Sequence, residues 1–178
     1  MRVVAGEFGG RKLVAPVGDA TRPTTDKVRE AVFNSLTSMG LVEDAVVVDL
    51  YAGSGAMGIE ALSRGAARCT FVERDRNALQ ALRTNIHALG LADRTTVVTS
   101  DVFAWVPAVR NVDLALVDPP YSFETWPKLL GMLRAAYVLC ESAREVDAPD
   151  GWEAIRTKRY GRTCATLLAR ADDASASL

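Results

Sequence analysis

Val47-Val48-Asp49-Leu50-Tyr51-Ala52-Gly53-Ser54-Gly55-Ala56-Met57-Gly58 reads as an apolar strand that passes through a glycine loop into a helix. It satisfies G-x-G-x-x-G at Gly53, Gly55 and Gly58. Glycines at these positions let the backbone approach a ligand, and alone they suit NAD, FAD or S-adenosylmethionine equally. Asp49 narrows the choice. Four residues before Gly53, at the end of the strand, its carboxylate lies beside the loop. Two phosphates there would be repelled, whereas an ammonium and a sulfonium would be attracted.

Working outward, apolar strand runs alternate with amphipathic helix runs from Ala45 onward. Ala45 to Leu50 precedes a helix from Met57 to Arg64, and Cys69 to Val72 precedes one from Asn77 to Leu89. Thr95 to Val98 leads to Val102 to Trp105, and Val112 to Val117 leads to Trp126 to Ala135. Ala136 to Cys140 supplies a fifth strand, followed by a hairpin of Trp152 to Lys158 and Thr163 to Ala169 that turns at Tyr160-Gly161-Arg162. Such alternation builds a parallel α/β sheet from βαβ units, closed here by an antiparallel hairpin. On the N-terminal side, Arg2 to Ala5 and Lys12 to Ala15 predict a β-hairpin through Phe8-Gly9-Gly10. Thr25 or Asp26 then offers an N-cap, and Val28, Ala31, Val32, Ser35 and Leu36 follow at helical spacing, predicting a helix over 25–39. We expect residues 1–40 to form a small appendage, 41–171 the main domain and 172–178 a frayed tail.

Two further acids fall at strand ends. Glu73 follows Gly53 by 20 residues at the end of the second strand, where a carboxylate accepts from ribose hydroxyls. Asp101 ends the third, where a carboxylate can accept from an adenine amine while Val102 covers the ring. Singly, Asp49 and Asp101 also suit helix N-caps and Glu73 a solvated turn. Together, at consecutive strand ends beside a glycine loop, they point to a nucleoside cofactor with positive charge and no phosphate, which is S-adenosylmethionine. The fourth strand runs into Asp118-Pro119-Pro120-Tyr121. Two prolines fix φ and lack N–H groups, so this turn leaves the sheet with rigid acceptors. If the Asp118 carboxylate and the Pro119 carbonyl accept from a base amine, its delocalised lone pair can localise on nitrogen and meet a methyl group. Tyr121 offers a face for an extruded base. No metal or covalent intermediate is needed.

Three stretches together resemble the ribosomal small-subunit methyltransferase D family, the bacterial guanine-N2 enzymes for 16S ribosomal RNA. They are Arg22-Pro23-Thr24 to Phe33-Asn34-Ser35-Leu36, Asp49 to Gly55, and Asp118-Pro119-Pro120-Tyr121. The glycine loop and the Asp-Pro-Pro-Tyr turn are widely shared among amino-group methyltransferases, and the first stretch is the family-specific part. The resemblance implies a Rossmann-like, seven-stranded methyltransferase sheet, with the N-terminal hairpin and helix completing the methionine pocket and gripping RNA. The expected donor-binding set is Thr25, Asp49, Tyr51, Ala52, Gly53, Ser54, Gly55, Gly58, Glu73, Arg74, Asp101 and Val102. The expected catalytic set is Asp118, Pro119, Pro120 and Tyr121, and the expected RNA contacts are Arg11, Lys12, Arg22 and Lys27. The stretch between Glu141 and Trp152 is short for the family, which implies a trimmed substrate-side edge.

Composition sets limits. With 178 residues, one core is expected. The balance of 21 basic and 22 acidic residues, net −1, argues against coating nucleic acid by bulk charge and leaves room for local patches only. Arg156, Lys158, Arg159 and Arg162 in the last hairpin read as solvated surface. Cys69, Cys140 and Cys164 are far apart and in no CxxC spacing, so buried thiols in a reducing, cytoplasmic setting are expected. Neither an export signal nor a membrane span is apparent, and we expect a monomer acting on small-subunit RNA within an assembling subunit. His87 reads as a helix-surface residue, while Trp126, five residues past Tyr121, is a candidate border of the base pocket. A DNA amino-methyltransferase would use the same turn, although the chain has little room for a target-reading domain. A nicotinamide oxidoreductase is disfavoured by Asp49 and by the lack of an evident hydride-site His or Tyr-Lys pair.

Overall fold

The computed structural model describes residues 1–17 and 25–171, so Arg22 and the expected tail at 172–178 lie outside the described residues. Seven strands form one sheet: β1 (Val46–Leu50), β2 (Arg68–Glu73), β3 (Thr95–Thr99), β4 (Val112–Val117), β5 (Ala135–Ser142), β6 (Trp152–Tyr160) and β7 (Thr163–Arg170). Their order is β3-β2-β1-β4-β5-β7-β6, parallel through β5 and antiparallel at β7 and β6. The helices are α1 (Asp26–Ser38), α2 (Ala56–Ser63), α3 (Arg76–Ala88), α4 (Val102–Trp105) and α5 (Trp126–Met132). Strand order reverses between β1 and β4, and ligands of open α/β sheets bind outside the strand C-termini at such a point.

Strand periodicity sorts the core into two layers. Val47, Cys69, Phe71, Leu114, Leu116 and Leu139 pack with α1, α2 and α3 on one face, while Val48, Leu50, Val72, Val117 and Val138 pack with α4 and α5 on the other. Asp49 shares the parity of Val47, so the fold turns it inward toward α2. Gly58 makes room there: a Cβ on it would lie 2.4 Å from Phe71 and 2.7 Å from the Cys69 sulfur, so only glycine lets α2 sit this close to β2.

Two expectations are corrected. The N-terminal hairpin reduces to a single antiparallel bridge, Arg2 with Lys12. Val3 and Leu13 N–H donate across it, to Arg11 O at 2.9 Å and Met1 O at 3.1 Å, while the donors beyond it turn to main-domain side chains: Val4 and Ala5 N–H donate to the Glu60 carboxylate at 2.7 and 3.2 Å, and Val14 N–H donates to Asn85 at 2.8 Å. The helix expected to reach Ala135 ends at Met132, because Ala135 is already paired with Val112 in the sheet. The segment at 1–40 shares the main core, with Val3, Leu13, Val32, Phe33 and Leu36 in the same layer as Val47 and Ile59.

Glu60 is the bolt of this attachment. It is fully buried, 2.7 Å from Arg64 Nε and 3.7 Å from the equally buried Arg29 Nε, besides its two backbone donors. Breaking a buried ion pair from one side costs about 3–5 kcal/mol. Glu60→Ala should lose about that much stability in a urea titration, and amide exchange at Val4 and Ala5 should accelerate before the sheet amides do.

Candidate active site

β1 ends in the glycine loop with Tyr51 at φ 62°, a left-handed conformation that is uncommon for a residue with a Cβ. Gly53 and Gly55 follow at φ 56° and 81°, and the turn delivers the first turn of α2 directly above Asp49. There Gly58 N–H donates to Asp49 Oδ2 at 2.9 Å. The Asp49 carboxyl is pushed well above the usual carboxylate range, mainly by burial. The Gly58 N–H pulls it down, and the neighbouring charges of Asp118, Glu73 and Glu141 push it further up. Two of the carboxylates predicted at strand ends, Asp118 and Glu73, therefore act on one buried group, joined by Glu141 of β5, which the sequence reading did not single out.

Glu73 is held by three backbone donors. Gly53 N–H reaches Oε2 at 2.9 Å, while the N–H groups of Arg74 and Asp75 reach Oε1 at 2.7 and 2.8 Å. Lone pairs remain on a carboxylate so bound, and its orientation is fixed for accepting a pair of hydroxyls. Asp101 caps α4 by accepting from Phe103 N–H at 2.9 Å through Oδ1, while Oδ2 meets Arg74 Nη1 at 3.0 Å. One carboxylate oxygen thus caps the helix while the other is paired with the exposed Arg74. Val102 is buried behind it. Tyr51 is raised to about 12 by burial and by Asp101, with Arg74 acting the other way, so its hydroxyl stays neutral beside that pair. Ala52 and Ser54 are buried in the loop, and Ser54 faces the N-terminal segment, its Oγ 3.8 Å from the Met1 sulfur. Thr25 caps α1 by accepting from Val28 N–H.

β4 releases the Asp118-Pro119-Pro120-Tyr121 turn beside β1, with Leu50 opposite Val117. Asp118 is half-buried, Pro119 buried, and Tyr121 is 55 % exposed with its hydroxyl 3.1 Å from Thr163 Oγ1. Of the two proline carbonyls, that of Pro120 is engaged, accepting from Phe123 N–H at 2.8 Å. This second turn places Phe123 where sequence reasoning did not look. Its ring meets Tyr51 edge-on at 5.6 Å, stacks on Phe103 at 6.2 Å and meets Trp126 edge-on at 5.0 Å. Trp126 therefore borders the site through Phe123. The only signal was Phe123's position two residues beyond Tyr121, which carries no periodicity.

The expected RNA cations separate. Arg11 donates to Ala88 O at the C-terminal end of α3, about 18 Å along that helix from the Glu73 end. Lys12 is bridged to Arg2, and Lys27 is exposed in the first turn of α1 next to Asp26, which pairs with Arg2. His87 is exposed, and the three cysteines are buried thiols. No helix among the described residues is long and apolar enough to cross a membrane.

A reversed parallel sheet with a glycine loop, acids at successive strand ends and an Asp-Pro-Pro-Tyr turn at the reversal defines a Rossmann-like methyltransferase. Residues 1–169 match the family model described as Conserved hypothetical protein 95. The chain is 34% identical to Ribosomal RNA small subunit methyltransferase D of Escherichia coli, over 96% of this chain and 90% of that protein. It is 29% identical to the Haemophilus influenzae protein of the same name, over 90% and 89%. Among solved structures, the Escherichia coli yhhF chain superposes with a TM-score of 0.81 at 34% identity, covering 96% of this chain and 97% of that one. A hypothetical protein of Thermus thermophilus superposes with 0.78 at 26% identity, covering 94% and 98%. The chain belongs to the ribosomal small-subunit methyltransferase D family.

The burial of Asp49 has a measurable cost. A carboxyl whose folded-state pKa is raised holds its proton in the folded protein after the unfolded chain has released it, so stability falls as pH climbs above the unfolded value of about 3.9. Asn at this position keeps an acceptor for Gly58 N–H and removes the titration. Asp49→Asn should therefore melt higher than the native protein without added ligand, with a larger margin at pH 7 than at pH 4 in thermal denaturation.

Proposed function

We propose that this chain is an S-adenosylmethionine-dependent ribosomal RNA methyltransferase that transfers the methyl group to the exocyclic N2 amine of a guanine in small-subunit RNA. The observation that carries the reading is the arrival of the Asp118 turn at the strand-order reversal, close enough that Asp118 acts on buried Asp49. One group at this edge faces the cofactor and the other faces a base. The names of the Escherichia coli and Haemophilus influenzae relatives support ribosomal RNA of the small subunit as substrate.

The residues fit the donor. Asp49 supplies negative charge toward an ammonium, Glu73 presents an oriented carboxylate to ribose hydroxyls, and Asp101 faces the adenine end once Arg74 yields. Gly53 would have no atom nearer its Cβ than Tyr51 O at 4.0 Å, so the loop backbone is open to a ligand. When bound, the donor supplies an electrophilic methyl group on a sulfonium. The chain's own part is to prepare the acceptor. Asp118 and the Pro119 carbonyl take the two amine hydrogens, which localises the nitrogen lone pair. With the donor bound, that nitrogen would be prepared to accept the methyl group in exchange for the sulfur, and the Asp118 carboxylate would take the surplus amine proton. Tyr121, held by Thr163, gives the base a face to stack on, a contact worth about 1–3 kcal/mol.

Single-turnover methylation of small-subunit particles, read by nucleoside mass spectrometry, tests this. N2-methylguanosine is the expected product, and methyl on adenine, on cytosine or on DNA would overturn the acceptor assignment. Asp118→Ala should lose at least about 100-fold in rate with donor affinity unchanged, the scale of removing one preorganised electrostatic group. Tyr121→Phe should retain most of the activity and Tyr121→Ala should not.

A further inference from the structure

Besides the cations of the N-terminal segment, the edge strand β6 carries a basic row of its own. β6 is an edge strand exposed from Glu153 to Arg159, and no acidic residue occurs between Glu153 and Asp172. Strand alternation divides its basic residues. Arg159 turns to the Ala143 carbonyl on one side, and Thr157 to Glu145. Arg156, Lys158 and Tyr160 turn to the other side, toward α1, where Arg156 Nη1 donates to Ser35 Oγ at 3.2 Å. Between β6 and α1 they border a shallow groove of about 30 Å³ whose apolar lining, Val32, Leu36, Leu139 and Leu167, is almost wholly buried. Lys158 Nζ stands 5.3 Å from the Tyr160 ring centre, and Glu141, the acid that acts on Tyr160, is buried within the sheet.

The row of side chains on β6 leads to the Asp118 turn through Tyr160 and Thr163. Tyr160 is paired in register with Thr163, and Thr163 holds the hydroxyl of Tyr121 at 3.1 Å. Arg162 stands exposed in the turn between them. An aromatic ring and a row of cations beginning one residue pair from the tyrosine proposed to stack the base match the chemistry of a single-stranded polynucleotide, with its phosphates on the cations.

Resting on the reading of the substrate as ribosomal RNA, we propose that the exposed cationic face of β6 along this groove seats the RNA segment flanking the target guanine, its phosphates held by Arg156, Lys158 and Arg162. Because the whole chain carries a net charge of −1, this one cationic row dominates the electrostatic part of RNA binding, and Arg11, at the far end of α3, contributes little.

The test compares KM and its salt dependence for reconstituted small subunits lacking the modification. Lys158→Glu/Arg162→Glu should raise KM about tenfold or more and reduce the slope of log KM against log salt by about 1.5, the share of two phosphate contacts. Donor affinity, measured by calorimetry, should stay at the native value. The neutral pair Lys158→Gln/Arg162→Gln should shift KM in the same direction by less. Arg68→Glu/Arg134→Glu makes the same charge change at the opposite edge of the sheet, where β2 and β5 begin, and should leave KM unchanged. An unchanged KM and slope in Lys158→Glu/Arg162→Glu, with native protein active on the particles, overturns the groove alone. So does an equal rise in the opposite-edge variant, or a variant whose only defect is aggregation, since edge cations also block strand pairing. Native protein that leaves small-subunit RNA unmethylated overturns the substrate reading instead.

Discussion

A carboxylate buried at the point where strand order reverses sets the terms for the rest of this molecule. Asp49 faces inward because it shares the parity of Val47, and it has one direct donor, the Gly58 N–H at the start of α2. That contact requires a helix packed so closely on β2 that position 58 can carry no Cβ, and a preceding loop bent through left-handed conformations at Tyr51, Gly53 and Gly55. Asp118, Glu73 and Glu141 then add like charge around a group already penalised by burial. Such an arrangement works against the stability of the protein alone and in favour of a cationic ligand.

The helix that serves Asp49 also anchors the N-terminal segment. Glu60 lies two residues beyond Gly58 and accepts from Val4 and Ala5 while pairing with Arg64 and Arg29. Asn85 on α3 bridges the same two parts, exchanging hydrogen bonds with the Val14 backbone and donating to the Ser54 carbonyl in the glycine loop. The Met1 side chain rests on Ser54. The N-terminal residues, the glycine loop and α2 are therefore one mechanical unit, and a change that loosens Glu60 reaches the cofactor side of the site through α2.

What the sequence made legible follows from the range of the interactions. The β1 strand, the glycine loop and α2 are coded by neighbours, and their parity and spacing placed Asp49 and Gly58 correctly. Strand ends carried Glu73, Asp101 and Asp118 to one edge because βαβ connections allow little choice of direction. Contacts between residues far apart in sequence left no such trace. Glu60 and Arg29 are charged residues on helices and look like solvent-facing positions, yet both are fully buried against each other. Phe123 joins Tyr51 only after two successive turns. The N-terminal hairpin pairs as its composition suggests around Arg2 and Lys12, but it is shorter, because the donors of Val4, Ala5 and Val14 have partners in Glu60 and Asn85.

On the proposed function, charge at this edge selects a cationic, phosphate-free nucleoside. Calorimetric titration of the purified protein with S-adenosylmethionine and, separately, with NAD tests it most directly. Saturable one-to-one binding of S-adenosylmethionine and no binding heat from NAD are expected. Binding of NAD with comparable affinity, or no binding of S-adenosylmethionine, would contradict it.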